Sequence, residues 1–218
     1  QNSGTLTVEL ALDNGGDAVS HSVSITVTEP NHDLWVVRSP DADEKPVDHQ
    51  FYARDDRGQG TLHYKGTLKE PADSVFLKLY AGDQLLDTQR QEISGDHKYS
   101  LALNLQAGLT AYRTEFGITR GGVDTVLEKA SDLVCGDVFV IQGQSNAEAW
   151  TDQRVVHPYR SPWLRSFGTP TTNKDRARDA VWGNALSFNG GENHHHLQIG
   201  YWGVELGKLL IEKHKIPI

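Results

Sequence analysis

The sequence lacks several features that define large classes of protein. It contains no methionine and a single cysteine, Cys135, so no disulfide can form within the chain. No apolar run approaches the roughly 18 residues of a membrane-spanning helix, and we expect no membrane span. The formal net charge is −8 and no continuous basic stripe offsets it, which argues against nucleic acid as a partner.

No secretory leader is visible at the amino terminus. The chain begins with Gln1 instead of methionine, and the apolar core of a signal peptide does not follow. We interpret the sequence as a mature or recombinant fragment whose leader has been removed, and expect a secreted or periplasmic protein. Cys135 lies at the entry to an apolar stretch, so we expect a buried, inert thiol.

What the sequence does contain is a series of short alternating segments. The 21 glycines and the mean hydropathy of −0.51 are typical of a soluble globular protein rich in turns. Residues 5–28 alternate around a Gly-rich turn and predict two paired strands. From residue 51 to about 134, strand patterns recur at short intervals without a helical period. This region predicts an antiparallel β-sandwich of the immunoglobulin or fibronectin kind.

The pattern changes after residue 134. Val138–Ile141 is a β-branched and aromatic run that predicts a buried strand, and Trp163–Phe167 is a candidate second strand. Farther on, the apolar residues follow a helical spacing at Ile199, Trp202, Leu206, Leu209 and Leu210. Ile216 and Pro217 end the helix and begin another apolar segment, and strand, strand, helix, strand in this order predict the opening of an α/β doubly wound domain.

These patterns predict three regions. Residues 1–30 hold a strand pair that belongs either to the sandwich or to a preceding domain. Residues 31–134 form the β-sandwich domain, and residues 135–218 form the opening of the α/β domain.

The strongest functional signal lies between Gly136 and Asn146. The predicted strand Val138–Ile141 stops near Gly143, and Gln144-Ser145-Asn146 follows as a small polar segment. A strand that ends at a glycine and a tight turn can present a serine hydroxyl at the edge of a sheet, as in the nucleophile elbow of hydrolases. The plainer interpretation of the four residues alone is a polar turn.

This stretch resembles block I of the SGNH (GDSL-like) hydrolases, in the branch of sialate O-acetylesterase-like carbohydrate esterases. The resemblance implies a three-layer α/β hydrolase domain, with Ser145 as nucleophile and its backbone N–H as one oxyanion-hole donor. It also implies an acetylated carbohydrate as substrate (sialic acid, xylan or a related glycan), with neither cofactor nor metal. Trp163–Gly168, Gly200–Gly203 and Ile216–Ile218 look like the segments that follow block I in these esterases.

The sequence does not supply the rest of the catalytic machinery that the resemblance implies. SGNH relatives take their base and its carboxylate from a later Asp-x-x-His pair, and no aspartate here is followed by histidine three positions on. We therefore expect the missing C-terminal part of the hydrolase domain to be a partner, and residues 1–218 alone to be inactive. His157 and the triplet His194–His196 are candidate substitute bases, although an adjacent histidine triplet in a loop is more often solvated than bound to metal.

Three further residues are candidates for the substrate cleft. Gln144 and Asn146 either hold the nucleophile turn or touch a sugar hydroxyl. Arg165, at the end of the second strand, either lines the cleft or makes a surface ion pair. Asp137 more plausibly bonds the loop before the strand than takes part in chemistry.

Scattered aromatic residues leave a second function open. Residues 1–134 could be a non-catalytic module that binds glycan or spaces domains, but Trp35, Tyr52, Tyr64 and Tyr80 do not form an evident platform and each suits a core. Aromatic residues also follow the motif, and they suit either sugar stacking or core packing: Trp150, Tyr159, Trp163 and Trp182.

Overall fold

A computed structural model describes residues 3–12, 19–28, 44–143, 156–168, 180–187 and 196–218. The chain divides into two compact units, Gln1–Ala42 and Asp43–Ile218. In the first unit, β1 (Ser3–Leu12) pairs antiparallel with β2 (Val19–Thr28). The strand pairing predicted from the alternation is therefore present, and its assignment to a domain stays a prediction.

The described part of the second unit is mostly β-sheet with one helix. Its elements are β3 (Phe51–Ala53), β4 (Gln59–Thr67), β5 (Ser74–Ala81), β6 (Gln84–Glu92), β7 (Lys98–Gln106), β8 (Tyr112–Arg120), β9 (Val123–Gly136), β10 (Arg165–Gly168), β11 (Val181–Leu186), β12 (His196–Gln198) and α1 (Gly200–His214). The sheets have the orders β3-β9-β8-β5-β6, β4-β7 and β10-β11-β12. The described chain has no helix of the length and apolarity needed to cross a bilayer.

Alternating residues of the five-stranded sheet β3-β9-β8-β5-β6 and of the pair β4-β7, here called the first two sheets, form one hydrophobic core. Leu101, Leu103 and Leu105 of β7 are at most 4% exposed, as the period of two predicts for one face of a strand. Tyr64 of β4 stacks on Phe116 of β8 with ring centroids 4.7 Å apart, which joins the two sheets. Burial of each such leucine contributes about 2 kcal/mol to folding.

β9 connects this core to the remainder of the unit. Its last residues, Leu133 to Cys135, are fully buried, and its end pairs in parallel with β3, with Phe51 opposite Val134 and Ala53 opposite Gly136. The predicted domain boundary near residue 134 falls inside this strand. The chain that leads to the serine motif therefore begins as a continuation of a core strand.

The sheet β10-β11-β12, here called the third sheet, and α1 lie in the region where a second strand and a helix were predicted. The candidate strand Trp163–Phe167 is confirmed from Arg165 on, as β10, and the helical spacing from Ile199 appears as α1. The helix ends at Lys215, whose φ is 58° and whose N–H donates to the carbonyl of Ile211. Neither β11 nor β12 was predicted from the sequence.

The buried strand predicted at Val138–Ile141 is wrong for this structure. Residues 137–143 belong to none of the described strands, and the four apolar side chains are 45% to 87% exposed. Among the described residues, the last backbone hydrogen bond of this stretch runs from Asp137 N–H to the Pro217 carbonyl. A β-branched run forms a strand only where a neighbouring strand accepts its hydrogen bonds, and the described chain provides none beyond Asp137.

The Cys135 thiol is expected to be unreactive in the folded protein at pH 8. The side chain is fully buried, and burial raises the pKa of the thiol to about 11, so almost no thiolate is present. A colorimetric disulfide reagent should titrate one thiol in denaturant and essentially none without it. Rapid labelling of the native protein would contradict the burial of Cys135.

Candidate active site

The predicted nucleophile lies outside the described residues. This holds for Ser145 and for its neighbours Gln144 and Asn146, and also for Trp150, His194 and His195; His196 is described only by its backbone in β12. The structure does describe the chain on both sides of the motif, at residues 136–143 and 156–168. The contacts of these two flanks define the surroundings of the candidate site.

The last three residues of the chain join the motif flank to the third sheet. Asp137 N–H donates to the Pro217 carbonyl at 3.1 Å. On the other side, Ile218 N–H donates to the Trp163 carbonyl at 2.9 Å, and Arg165 N–H donates to the Ile218 carbonyl at 2.8 Å. Residues 216–218 thus lie between the end of β9 and β10, as an added strand would.

Asp137 has a structural partner at the start of the motif segment. Its carboxylate accepts two hydrogen bonds from the Arg54 guanidinium, at 2.6 Å from Nε and 3.0 Å from the second nitrogen. The Arg54 backbone N–H also donates to the Gly136 carbonyl at 2.9 Å. Hydrogen bonding to Asp137 raises the pKa of Arg54. This geometry agrees with the interpretation that Asp137 bonds the loop before the motif.

Arg165 is buried at the junction between β10 and the end of β9. It is 7% exposed; its guanidinium lies 3.1 Å from His49 Nδ1 and donates to the Asp132 carbonyl at 3.3 Å. Desolvation lowers the pKa of Arg165, and the charge of Asp132 opposes that shift. Because the side chain is buried, the alternative of a surface ion pair does not describe it. Its role in a substrate cleft stays a prediction.

Arg165→Ala is expected to lower the free energy of unfolding by about 2–4 kcal/mol, because the change leaves a void at a buried side chain and removes the donor to the carbonyl of Asp132. Urea unfolding followed by tryptophan fluorescence measures the effect. Arg57→Ala, at an exposed arginine in the turn before β4, is the matched control and should be nearly neutral. Equal midpoints for the two variants would contradict the assigned role of Arg165.

His157 lies on the other flank of the motif and is 4% exposed. Its Nδ1 accepts a hydrogen bond from Tyr159 N–H at 3.1 Å, so the ring proton is on Nε2, which donates to Glu205 at 2.7 Å. Both ring nitrogens are therefore occupied. In this arrangement His157 cannot take the proton of Ser145, and it does not provide the base that the sequence lacks.

A cavity of about 500 Å³ lies beside the exposed stretch Val138–Ile141. Its walls are mainly apolar and come from that stretch, the third sheet, residue Ile218 and α1, with Asp137, Arg165 and Ser166 as polar members. Gly207 allows α1 to approach closely, since a Cβ there would overlap the side chain of Leu164.

Among the described residues, no cluster of three or more histidine, cysteine or acidic side chains has the arrangement of a metal site.

The aromatic side chains near this cavity pack on one another. Trp182 stacks on Phe51 with centroids 5.3 Å apart and lies 5.1 Å from the ring of Phe167. Trp163 is half-buried against the core of the third sheet and α1. For Trp163 and Trp182, core packing describes the structure better than a free stacking surface.

The tyrosines considered for a separate glycan-binding module are also engaged. Tyr52 and Tyr64 are 9% and 1% exposed and belong to the core of the first two sheets. Tyr80 donates to Glu115 at 3.1 Å and lies under the Arg113 guanidinium. Trp35 lies outside the described residues. None of the three described tyrosines forms an open platform for a sugar ring.

Sequence reasoning missed the residues that hold the flanks in place. Arg54, His49 and Glu205 were not singled out, because each meets its partner only through the fold. The one local signal was the charge of Asp137 directly after a buried strand, which suggested that some partner exists.

No family model matches the chain, and no curated protein matches it. Among solved structures, the chain is similar to a carbohydrate acetylesterase from Xanthomonas citri, with a TM-score of 0.41 and 16% identity over 79% of this chain. The chain spans 37% of the length of that protein. A similarity at this level establishes neither a shared fold nor a shared activity.

Proposed function

We propose that the chain is the first part of a serine esterase that removes O-acetyl groups from carbohydrate, with Ser145 as nucleophile. The observation that carries this proposal is the segment Gly143-Gln144-Ser145-Asn146, which follows Gly136-Asp137 at the end of a core strand. The contacts of Asp137 support it, because they fix the start of the segment on which the serine lies. The proposed substrate is acetylated sialic acid, xylan or a related glycan, outside the cytoplasm.

The chemistry would proceed in two steps. The Ser145 oxygen attacks the acetyl carbonyl while a base takes its proton, and the Ser145 backbone N–H stabilises the oxyanion. The carbohydrate hydroxyl leaves with that proton, and the acetyl group stays on the serine. Water then attacks the acyl-enzyme and releases acetate, with the same base transferring the proton.

We further propose that the base and its carboxylate come from a C-terminal part of the hydrolase domain beyond these residues. The half-exposed apolar stretch Val138–Ile141 and the apolar cavity beside it support this proposal, because a folded domain rarely leaves such a surface uncovered. In this arrangement the two-sheet body would be an immunoglobulin- or fibronectin-like sandwich that leads into an α/β SGNH domain. The deciding experiment is acetyl-ester hydrolysis by the complete protein and by Ser145→Ala.

A further inference from the structure

Described residues with defined contacts lie on both sides of the segment that carries Ser145. At its start, Asp137 binds Arg54 through its carboxylate and Pro217 through its N–H. At its end, the chain returns at Val156 and His157. Asp137 is therefore held on β3 and the end of β9 before the segment, and His157 lies where the described chain resumes after it.

His157 makes four hydrogen bonds within the described residues. Its backbone N–H donates to Ser187 Oγ at 2.9 Å, and its carbonyl accepts from Arg160 at 2.6 Å. Its Nδ1 accepts from Tyr159 N–H, and its Nε2 donates to Glu205. The Tyr201 ring lies edge-on, 4.7 Å from the imidazole. These bonds use every polar group of the residue and leave one orientation of the ring.

The Glu205 bond is the part of this arrangement that reaches α1. Glu205 is 40% exposed in its side chain and lies outside the core cluster of Leu164, Ala185, Val204 and Ile211 that holds the helix. Removing the carboxylate therefore leaves the packing of α1 in place. What it removes is the hydrogen bond between residues 156–160 and α1.

We propose that His157 and Glu205 are a positioning pair that fixes residues 156–160, where the described chain resumes after Ser145, on α1. The catalytic consequence rests on the proposed function; the attachment itself does not. A nucleophile must lie within a few tenths of an ångström of its reacting position, and a displacement of about 1 Å can cost about a hundredfold in rate. Attachment of residues 156–160 to α1 would contribute to that constraint without contact to the substrate.

The attachment is tested by amide hydrogen exchange on the protein as given, followed by mass spectrometry of peptides that cover residues 156–160. Glu205→Ala is expected to speed exchange there about tenfold, since the variant removes a hydrogen bond between a charged group and His157. Glu205→Gln keeps an acceptor for Nε2–H and should restore part of the protection. Glu212→Ala, at an exposed position of the same helix, is the control.

The catalytic consequence is tested on the complete enzyme. Glu205→Ala and His157→Ala are expected to lower kcat by about tenfold to a hundredfold with KM little changed, and Glu205→Gln should recover much of the loss. Unchanged exchange in Glu205→Ala would overturn the attachment, and unchanged kcat with faster exchange would overturn its role in catalysis. If His157→Ala does not fold, the two Glu205 variants decide. Full activity of Ser145→Ala would instead remove the proposed function and leave the exchange result standing.

Discussion

Ser145→Ala is expected to lower the turnover of a generic acetyl ester by the complete enzyme at least about a thousandfold, because the acyl-enzyme route disappears with its nucleophile. The substrate affinity should change little, since the lost hydroxyl acts mainly in the transition state. A chromogenic acetyl ester followed by absorbance measures kcat and KM. Mass spectrometry of the wild-type enzyme should also show a serine-specific organophosphate adduct on Ser145.

Two comparisons make this prediction decisive. Ser100→Ala, at an exposed position of β7, should keep full activity. Residues 1–218 alone should show no turnover, because both ring nitrogens of His157 are occupied and the sequence has no Asp-x-x-His. Retained activity in Ser145→Ala would refute the assignment. Robust Ser145-dependent turnover by the 218 residues would show instead that a base exists among His157 and His194–His196.

Gly136→Ala is expected to lower the free energy of unfolding by about 3 kcal/mol, the upper range for overpacking a filled site. A Cβ at this position would overlap the carbonyl of Pro217, which is backbone and cannot rotate away as a flexible side chain could. The same carbonyl accepts from Asp137 N–H, so the clash also opens the junction between β9 and residues 216–218. Urea unfolding gives the loss, with the fluorescence of Trp163 and Trp182 reporting on this region.

Gly95→Ala is the matched control for the same change. An added Cβ at Gly95 meets no atom within 4 Å, and the residue does not have a positive φ. The variant should be neutral or slightly stabilising, because alanine restricts the unfolded chain more than glycine does. If Gly136→Ala unfolds at the same urea concentration as Gly95→Ala, the close approach of Pro217 to Gly136 is wrong.

The regular elements of the fold were largely predictable from sequence. The alternation in β7 placed Leu101, Leu103 and Leu105 on one face, and these side chains are buried there. The helical spacing from Ile199 identified α1 to within a residue of its start. Both patterns are local, since they require only that neighbouring positions share an environment.

The contacts around the candidate site were not predictable in this way. Arg54 and Asp137 are 83 positions apart, His157 and Glu205 are 48 apart, and Arg165 and His49 are 116 apart. No periodic pattern links such positions. The strand prediction at Val138–Ile141 failed for a related reason: its residues have the right propensity, but a strand also needs a partner from elsewhere in the fold. The position of Ser145 relative to these contacts stays a prediction.

The continuity of β9 with the motif segment has a consequence for the order of folding. The end of β9 pairs with β3, which lies more than 80 positions earlier in the chain. These two distant stretches must meet before this end of β9 is stabilised. During synthesis the amino-terminal residues emerge first, at about 5–20 residues per second. We therefore expect the sheets that contain β3 to β8 to assemble before α1 leaves the ribosome. The core strand from which the serine segment departs would then be folded before α1, which binds His157, and before Pro217, which binds Asp137, have been synthesised.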